Sequence, residues 1–410
     1  MNTCTPLLAL ALLGLASVLP PTDATIVAGA LLPHGDIALD PARDPALNST
    51  QRRQATELHA AALQAGKFLQ DASPELIFLA TPHGVADLER HAFFLNPTAA
   101  GCLDPLPALP GGSGSATGAT AATAAGAGAE GSAEAQLSPA QQQLGHPGRR
   151  RCTDVSVAVG TSVMLLKFLR DRTFQQTTGL SGFGPPGEAA APFPLGWDEL
   201  RGSARFLLLS FPSRRYNESV QMAPEVLDMG MALWDALEAL PQRVAVLVSG
   251  DLAHTHDPAG PYGFSKDAAP FDAAVGRWAD SLRADELLGE AARRQHGAKS
   301  CGFLGMVMLH GMLHRGMAAA LDGAAAALGS SARGAEGQLS TSVARAGTGA
   351  PGQQAAGQRS LQEQQWPPAD AGGGVPGTWR GRLLALQHPT YYGMAVATFE
   401  RLGLQAVAVQ

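Results

Sequence analysis

Two histidines with matching neighbours are the residues of this sequence best suited to chemistry. His34 and His83 each follow an apolar run, and each is preceded by proline and followed by glycine. Neutral imidazole is the commonest metal ligand in proteins. A single histidine in this position could instead cap its strand through a local hydrogen bond, but the matched pair predicts a shared site.

A third apolar run, 244–248, leads into a polar turn that carries Asp251, His254 and His256. In α/β sheets, ligands bind beyond the carboxyl ends of the strands, so the three runs could deliver their side chains to one point. His254 could act as a general acid or base, because the unperturbed pKa of histidine is about 6.5. Asp251 could orient it or hold a ligand. We expect His256 to be solvated.

Cys301 precedes a long apolar segment that is predicted to be helical. Its thiolate would be a soft metal ligand, and a small buried apolar residue is the alternative interpretation. His310 and His314 lie four residues apart in the helical segment and share one face. The zinc-binding H-E-x-x-H pattern lacks its glutamate here, because residue 311 is glycine. We therefore interpret this pair as part of helix packing or of the surface.

Apolar runs and helical periodicities predict the elements that must position these residues. A helix capped by Ser49 or Thr50 separates the first two strands. The predicted strands are 25–32, 76–81, 154–159, 205–211, 244–248, 382–387 and 391–399, and the predicted helices are 49–71, 162–172, 224–240, 271–283, 285–296 and 303–321. Strands that alternate with helices predict an α/β fold, a three-layer α/β/α domain with a mainly parallel central sheet. No G-x-G-x-x-G motif of dinucleotide-binding proteins follows the first strand, and the sequence has no G-x-x-x-x-G-K-[ST] motif of P-loop proteins.

Two segments of low complexity interrupt this pattern. Residues 111–148 and 323–376 consist mainly of small and polar residues, which cannot bury enough apolar surface to offset the entropy of ordering. We interpret both as disordered surface insertions in a single catalytic domain that spans residues 25–410. The formal net charge of −6 argues against a nucleic-acid partner.

The N-terminal segment bears on the cellular compartment in which the protein is located. Residues 1–24 resemble a secretory signal peptide that ends near Ala24, which would place the protein in the secretory pathway or outside the cell. Their apolar stretch is too short to span a membrane, which takes about 20 residues. The alternative is an apolar extension or another targeting peptide on a cytoplasmic protein. Cys102 and Cys152 flank the first insertion and could form a disulfide in an oxidising compartment, whereas a reducing one would leave them as thiols.

The ordered set of motifs resembles a known family. The Pro-His-Gly turns at His34 and His83, the segment 249–254 and the closing segment 391–395 are similar to those of class III extradiol ring-cleavage dioxygenases, the LigB-like superfamily. The similarity covers residues 25–401 apart from the insertions. It implies a non-haem Fe(II) oxidoreductase that inserts O2 into a catechol-type aromatic substrate. It also implies that His34 and His83 bind the metal and that His254 is the catalytic histidine, supported by Asp251.

The third metal ligand departs from that pattern. Where the dioxygenases use a glutamate, this sequence has Cys301 followed by Gly302, which resembles the related Memo family. Cys301 is therefore the expected third ligand, and Glu286 and Glu290 fit less well. A thiolate shifts metal preference towards zinc or copper. The resemblance leaves two alternatives to ring cleavage: a Memo-like metal-binding redox or signalling protein, and a zinc hydrolase that uses the same histidines.

Overall fold

The computed structural model describes residues 25–42, 44, 46–84, 87–103, 151–180, 204–335 and 379–402. The predicted signal peptide, the first insertion and residues 336–376 of the second insertion lie outside the described residues. Within the described ranges, no helix is both long enough and apolar enough to cross a membrane.

An eight-stranded mixed sheet forms the centre of the domain, in the order β6-β3-β7-β2-β8-β1-β10-β9. Strands β7, β2, β8 and β1 are parallel to one another. At one edge, β10 is antiparallel to β1, and β9 is antiparallel to β10. A separate antiparallel pair joins β4 to β5. The strands are β1 (Ile26–Leu32), β2 (Leu76–Thr81), β3 (His91–Phe94), β4 (Thr98–Leu103), β5 (Arg151–Ser156), β6 (Thr177–Leu180), β7 (Arg205–Ser210), β8 (Val244–Ser249), β9 (Trp379–Gln387) and β10 (Met394–Arg401).

Helices cover both faces of this sheet. Helix α2 packs on one face, and helices α3, α4, α5 and α7 pack on the other. The helices are α1 (Asp36–Leu39), α2 (Ser49–Asp71), α3 (Val159–Asp171), α4 (Arg215–Glu238), α5 (Ala268–Ser281), α6 (Ala292–Ala298, preceded by a π-helical segment, Asp285–Ala291) and α7 (Phe303–Ala335). The predicted α/β fold with a mainly parallel sheet is confirmed.

The continuous apolar runs of the sequence are explained by burial on both faces of the sheet. In β2, Phe78 and Ala80 contribute to the core on one side, while Ile77 and Leu79 contribute to the core on the other. Successive side chains of a strand point to opposite faces, so a strand covered by helices on both sides needs apolar residues throughout.

Helix α2 begins with a capping box. The Asn48 side chain accepts hydrogen bonds from the backbone N–H groups of Thr50 and Gln51, and the Gln51 side chain accepts one from the Asn48 N–H. This arrangement satisfies N–H groups that the first turn of a helix leaves without partners. The predicted cap at Ser49 or Thr50 was wrong, because Asn48 takes that role.

Other element bounds differ from the prediction. Strands β3, β4 and β6 were not predicted, and β5 begins before the predicted strand at 154. Helix α4 begins at Arg215 rather than at residue 224 and is kinked at Glu218. Helix α7 continues to Ala335, past the predicted start of the second insertion. The β4–β5 register pairs the backbones of Cys102 and Cys152, the two cysteines that flank the first insertion.

Candidate metal centre

Three neighbouring strands of the sheet carry the main side chains of the candidate site. Strand β8 lies between β1 and β2, and the three strands run parallel. His34, His83 and Asp251 are each the second residue after the end of their strand. Parallel strands that end together therefore bring these residues to one edge of the sheet, as the sequence predicted.

The two histidines face each other through their ring nitrogens. His34 Nε2 lies 2.8 Å from His83 Nε2, with the rings nearly perpendicular at 87°. Ligand atoms that each lie about 2.1 Å from one metal ion are themselves separated by roughly 3 Å. The spacing thus fits two ligands of a single ion. The Ser249 hydroxyl, 3.1 Å from His34 Nδ1, fixes the opposite side of the His34 ring.

Cys301 supplies the third donor. It lies in the loop between α6 and α7, and its Sγ atom is 3.4 Å from His34 Nε2. The donor atoms of His34, His83 and Cys301 all lie within 4.8 Å of one another. Nitrogen and thiolate sulfur ligands in this number are typical of zinc and copper sites and can also hold iron. The structure thus brings together the three residues predicted to bind a metal.

Two glycines allow the Cys301 loop to approach the Asp251 turn. A Cβ atom on Gly250 would lie 2.4 Å from Gly302 Cα, closer than such atoms can come. The Gly302 N–H donates to the Asp251 carbonyl at 3.0 Å, and the Asp251 N–H donates to Cys301 Sγ at 3.3 Å. These backbone contacts hold the thiol beside the histidines.

Asp251 is closer to the donor atoms than a purely supporting role requires. Its carboxylate is buried, accepts the His34 backbone N–H at 3.1 Å through Oδ1, and places Oδ2 3.4 Å from His34 Nε2. Asp251, His254 and Cys301 form a second group of potential ligands within 4.8 Å of one another. The centre therefore offers a carboxylate as well as a thiol.

Burial sets the protonation of these groups. It lowers the pKa of His34 and of His83 to about 4, with the nearby charge of Arg215 adding to the effect. Both rings are therefore neutral at pH 7, the form that binds metal. Burial raises the pKa of Asp251 to about 6, which leaves it ionised at pH 7. Burial and the Asp251 charge raise the pKa of the Cys301 thiol far above its usual range, so a metal must displace its proton.

His254 lies beside the donors in an aromatic setting. Its ring contacts those of Tyr262, Tyr392 and Tyr391, at centroid distances of 5.6, 6.0 and 6.4 Å. Its Nε2 atom is buried and has no hydrogen-bond partner among the residues that the structure describes. Burial lowers the pKa of His254, so the ring is neutral at pH 7. A neutral imidazole whose nitrogen has no protein partner can accept a proton from a bound molecule.

His256 is not solvated, contrary to the prediction. Its side chain is only 7% exposed, and Nε2 lies 2.7 Å from the buried Asp272 carboxylate on α5. The His256 ring stacks in parallel on that of His388, with 4.3 Å between centroids. Asp272 also accepts the Ala253 backbone N–H at 2.9 Å. The pair therefore braces the turn that carries Asp251 and His254, and no local pattern marks Asp272 for this role.

The other candidates from the sequence lie elsewhere. His310 is buried in α7, where Nδ1 accepts the Trp278 indole N–H at 3.2 Å, in agreement with a packing role. Glu286 and Glu290 form ion pairs with arginines and belong to neither group of potential ligands within the described ranges.

Comparisons with known proteins leave the family open. No family model matches the chain, and no curated protein matches it. One similar solved structure is that of an uncharacterized protein from Escherichia coli K12, at 13% identity and a TM-score of 0.35. That alignment covers 70% of this chain and 88% of the other. A TM-score this low supports no inference about function.

Proposed function

We propose that the protein is a non-haem metal-dependent oxidoreductase whose leading reaction is the extradiol cleavage of a catechol-type aromatic substrate with O2. The observation that carries the proposal is the convergence of two facing imidazole nitrogens, a thiol and a carboxylate at one sheet edge, beside a histidine that has a buried, unpartnered nitrogen. Fe(II) is the metal that the resemblance implies for this reaction. In this proposal the imidazoles, the thiol and the carboxylate bind the ion, whereas His254 handles the substrate.

The donor set fits a divalent ion. His34 and His83 supply neutral nitrogens, Cys301 supplies sulfur, and Asp251 places a carboxylate oxygen 3.4 Å from His34 Nε2. Asp251 provides the carboxylate that the sequence lacks at position 301, so two histidines and a carboxylate are present together. When bound, Fe(II) would be held by these residues and would supply the redox chemistry for the reaction of a catechol with O2.

His254 and its tyrosines would handle the substrate. A catechol must lose a proton to bind through both of its oxygens, and the free Nε2 atom of His254 can accept it. The rings of Tyr262, Tyr391 and Tyr392 around His254 offer aromatic surface to a planar substrate. The backbone N–H of His254 donates to the Ala298 carbonyl at 2.8 Å, which holds the residue in place.

A second candidate is a Memo-like metal-binding redox protein without ring cleavage. The observation that favours it is the Cys301 thiol 3.4 Å from His34 Nε2, because a thiolate ligand favours zinc or copper over Fe(II). In that case the Asp251 carboxylate would only orient the site through its hydrogen bond from the His34 backbone.

The deciding experiment is oxygen uptake by the full-length protein, loaded with Fe(II) under anaerobic conditions and then given a panel of catechols. Ring-opened product that matches the oxygen consumed supports the dioxygenase. Tight metal binding with neither uptake nor product supports the Memo-like protein. Turnover of esters or amides without O2 would identify the zinc hydrolase instead.

Replacement of Cys301 by glutamate sharpens this comparison. The variant restores the carboxylate of the ring-cleaving enzymes, so uptake should rise in a competent scaffold. Cys301→Ser, which removes the thiolate without adding a carboxylate, is the matched control. Metal bound by Cys301→Glu without any uptake would count against ring cleavage.

A further inference from the structure

A two-stranded ribbon carries the first insertion. Strands β4 and β5 form a sheet of their own, separate from the central sheet, and residues 104–150 connect them in the sequence. The ribbon is fixed to the domain at one end, where the Ala158 N–H donates to the Phe206 carbonyl of β7 at 2.8 Å. Two strands by themselves are at best marginally stable in water, so the outer end of the ribbon, where the insertion begins and ends, needs a further constraint.

The hydrogen-bond pattern shows which opposite residues of the ribbon come closest. The Val157 N–H donates to the Pro97 carbonyl at 2.9 Å, so these two residues form a hydrogen-bonded pair. Opposite pairs of an antiparallel ladder alternate between hydrogen-bonded and non-hydrogen-bonded. The register continues without a shift to Cys102 opposite Cys152, five positions further along each strand. Because five is an odd number, the two cysteines form a non-hydrogen-bonded pair.

This type of pair has the spacing that a disulfide needs. The Cα atoms of a non-hydrogen-bonded pair lie about 4.5 Å apart, and its side chains are closer than those of a hydrogen-bonded pair. A disulfide takes Cα separations of roughly 4.4–6.8 Å. The backbone register therefore places Cys102 and Cys152 at bonding distance without any rearrangement of the strands.

The two cysteines also share the outer face of the ribbon. Side chains alternate between the faces of a strand. Ala99 and Val155 are buried on the inner face, each 2% exposed, whereas Asp154 is exposed on the outer face. Cys102 lies an odd number of positions from Ala99, and Cys152 lies two positions from Asp154, so both belong to the outer face. Free cysteine is among the most buried residue types, so an opposite pair on the outer face favours a bridge over two thiols.

We propose that Cys102 and Cys152 form a disulfide that closes the outer end of the ribbon and joins the two ends of the first insertion. The oxidant is a low-molecular-weight disulfide of the glutathione type. The thiolate of one cysteine attacks this disulfide and releases one thiol, and the thiolate of the other cysteine then displaces the second thiol, so two protons and two electrons pass to the oxidant. The inference uses no group of the candidate metal centre and does not depend on the proposed function.

The test is peptide mapping of the full-length protein after incubation with oxidised glutathione, with the remaining free thiols alkylated in denaturant. Trypsin, which cuts after lysine and arginine, gives peptides 91–149 and 152–167, each of which contains one of the two cysteines. We expect these peptides to be linked, with the loss of two hydrogens, and to separate on reduction. Alkylated or glutathione-bound Cys102 and Cys152, or a link from either to Cys301, would overturn the proposal.

A shifted pair of cysteines is the matched control for the register. In a protein with Cys102→Ser and Cys152→Ser, the changes Ala100→Cys and Asp154→Cys create the next non-hydrogen-bonded pair, which should link as the native pair does. Ala100→Cys combined with Ser156→Cys gives a diagonal pair, which should not link. Equal linking of the diagonal and the opposite pairs would show that the register does not decide the bond, and would remove the basis of the proposal.

The bond should also stabilise the fold. It closes a loop of about 50 residues, which by the chain-entropy model lowers the equilibrium constant for unfolding by roughly a thousandfold. In urea titrations of the metal-free, full-length protein, we expect a reductant to raise this constant by at least about tenfold in the wild type and to leave the variant with Cys102→Ser and Cys152→Ser unchanged. An equal effect of the reductant on both proteins, or no effect on either, would overturn the proposal that the bond closes the ribbon.

Discussion

The Nε2 atoms of His34 and His83 lie 2.8 Å apart, although 49 positions separate the two residues in the sequence. Strand β8 runs between the strands that precede them, and the Asp251 backbone from that strand holds the Cys301 sulfur beside His34. Both imidazoles are neutral at pH 7, because burial lowers the pKa of each to about 4. With both rings neutral, one Nε2–H can donate to the other Nε2, whereas a metal ion would be bound through a lone pair of each nitrogen.

Loss of either histidine should remove the metal. We expect His34→Ala and His83→Ala each to weaken metal binding by at least about a hundredfold, because even partners that only orient a ligand contribute tenfold to a hundredfold. Metal content after dialysis, measured by mass spectrometry, checks this. His296→Ala, which changes an exposed histidine, should keep full content. Retention of the metal by both site variants would refute the assignment.

Metal binding should release a proton from Cys301. Its thiol is protonated at pH 7, because burial and Asp251 raise its pKa, whereas the imidazoles are already neutral. Zinc affinity should therefore rise about tenfold per pH unit between roughly pH 7 and 8, where the thiol must lose its proton to bind. Cys301→Ser should show little pH dependence in that range. Zinc titrations in weak buffer measure both the affinity and the protons released, and equal release by the two proteins would contradict a thiolate ligand.

Replacement of His254 should separate turnover from metal binding. We expect His254→Ala to keep its metal and lose turnover by a factor of about 10² to 10⁴, the usual contribution of a general acid or base. The comparison is made under the oxygen-uptake conditions that establish activity in the wild type. His296→Gln, at an exposed position away from the site, should keep both metal and turnover. Unchanged turnover in His254→Ala would remove its acid–base role.

His91 should make the metal-free protein sensitive to acid. Burial lowers its folded-state pKa from 6.5 to about 4, and Arg214 adds to this while the Gln176 carbonyl opposes it. The unfolded chain binds more protons between these values, so the stabilisation is complete above about pH 6.5 and is lost as the pH falls towards 4. The loss from this residue is on the order of 3 kcal/mol.

Urea unfolding at pH 7 and pH 4.5 checks that expectation. His91→Gln cannot be protonated, so its free energy of unfolding should fall by less than that of the wild type. The free energy of unfolding of His296→Gln, a change at an exposed position, should fall by as much as that of the wild type. An equal fall in the wild type and His91→Gln would show that His91 does not contribute.

The contributions of His256 and Asp272 to the free energy of unfolding should be coupled. Removing one member of a buried pair leaves the other charge or donor without its partner, which costs about 3–5 kcal/mol. A double-mutant cycle with His256→Ala and Asp272→Ala should therefore show that the double variant is more stable than the sum of the single losses predicts. Additive losses would mean that the 2.7 Å contact does not contribute to stability.

The sequence by itself determined the class of fold and most of the donor set. Apolar runs such as those of β1, β2 and β8 can be recognised without tertiary information, because burial on both faces requires apolar residues throughout a strand. The residues that follow such strands must lie at the carboxyl edge of the sheet, which is why His34, His83 and Asp251 could be named in advance. The chemistry of Cys301 left ligand and buried apolar residue as alternatives, and a resemblance between families selected it as the expected third ligand.

Only the tertiary structure decided which of these residues meet. The position of β8 between β1 and β2 depends on packing between segments far apart in the chain, and so does the contact between the Asp251 turn and the Cys301 loop. The short strands β3, β4 and β6 carry too few residues for a clear periodicity. Asp272 could not be found from the sequence, because a buried charge is defined by what surrounds it in space and not by its neighbours in the chain.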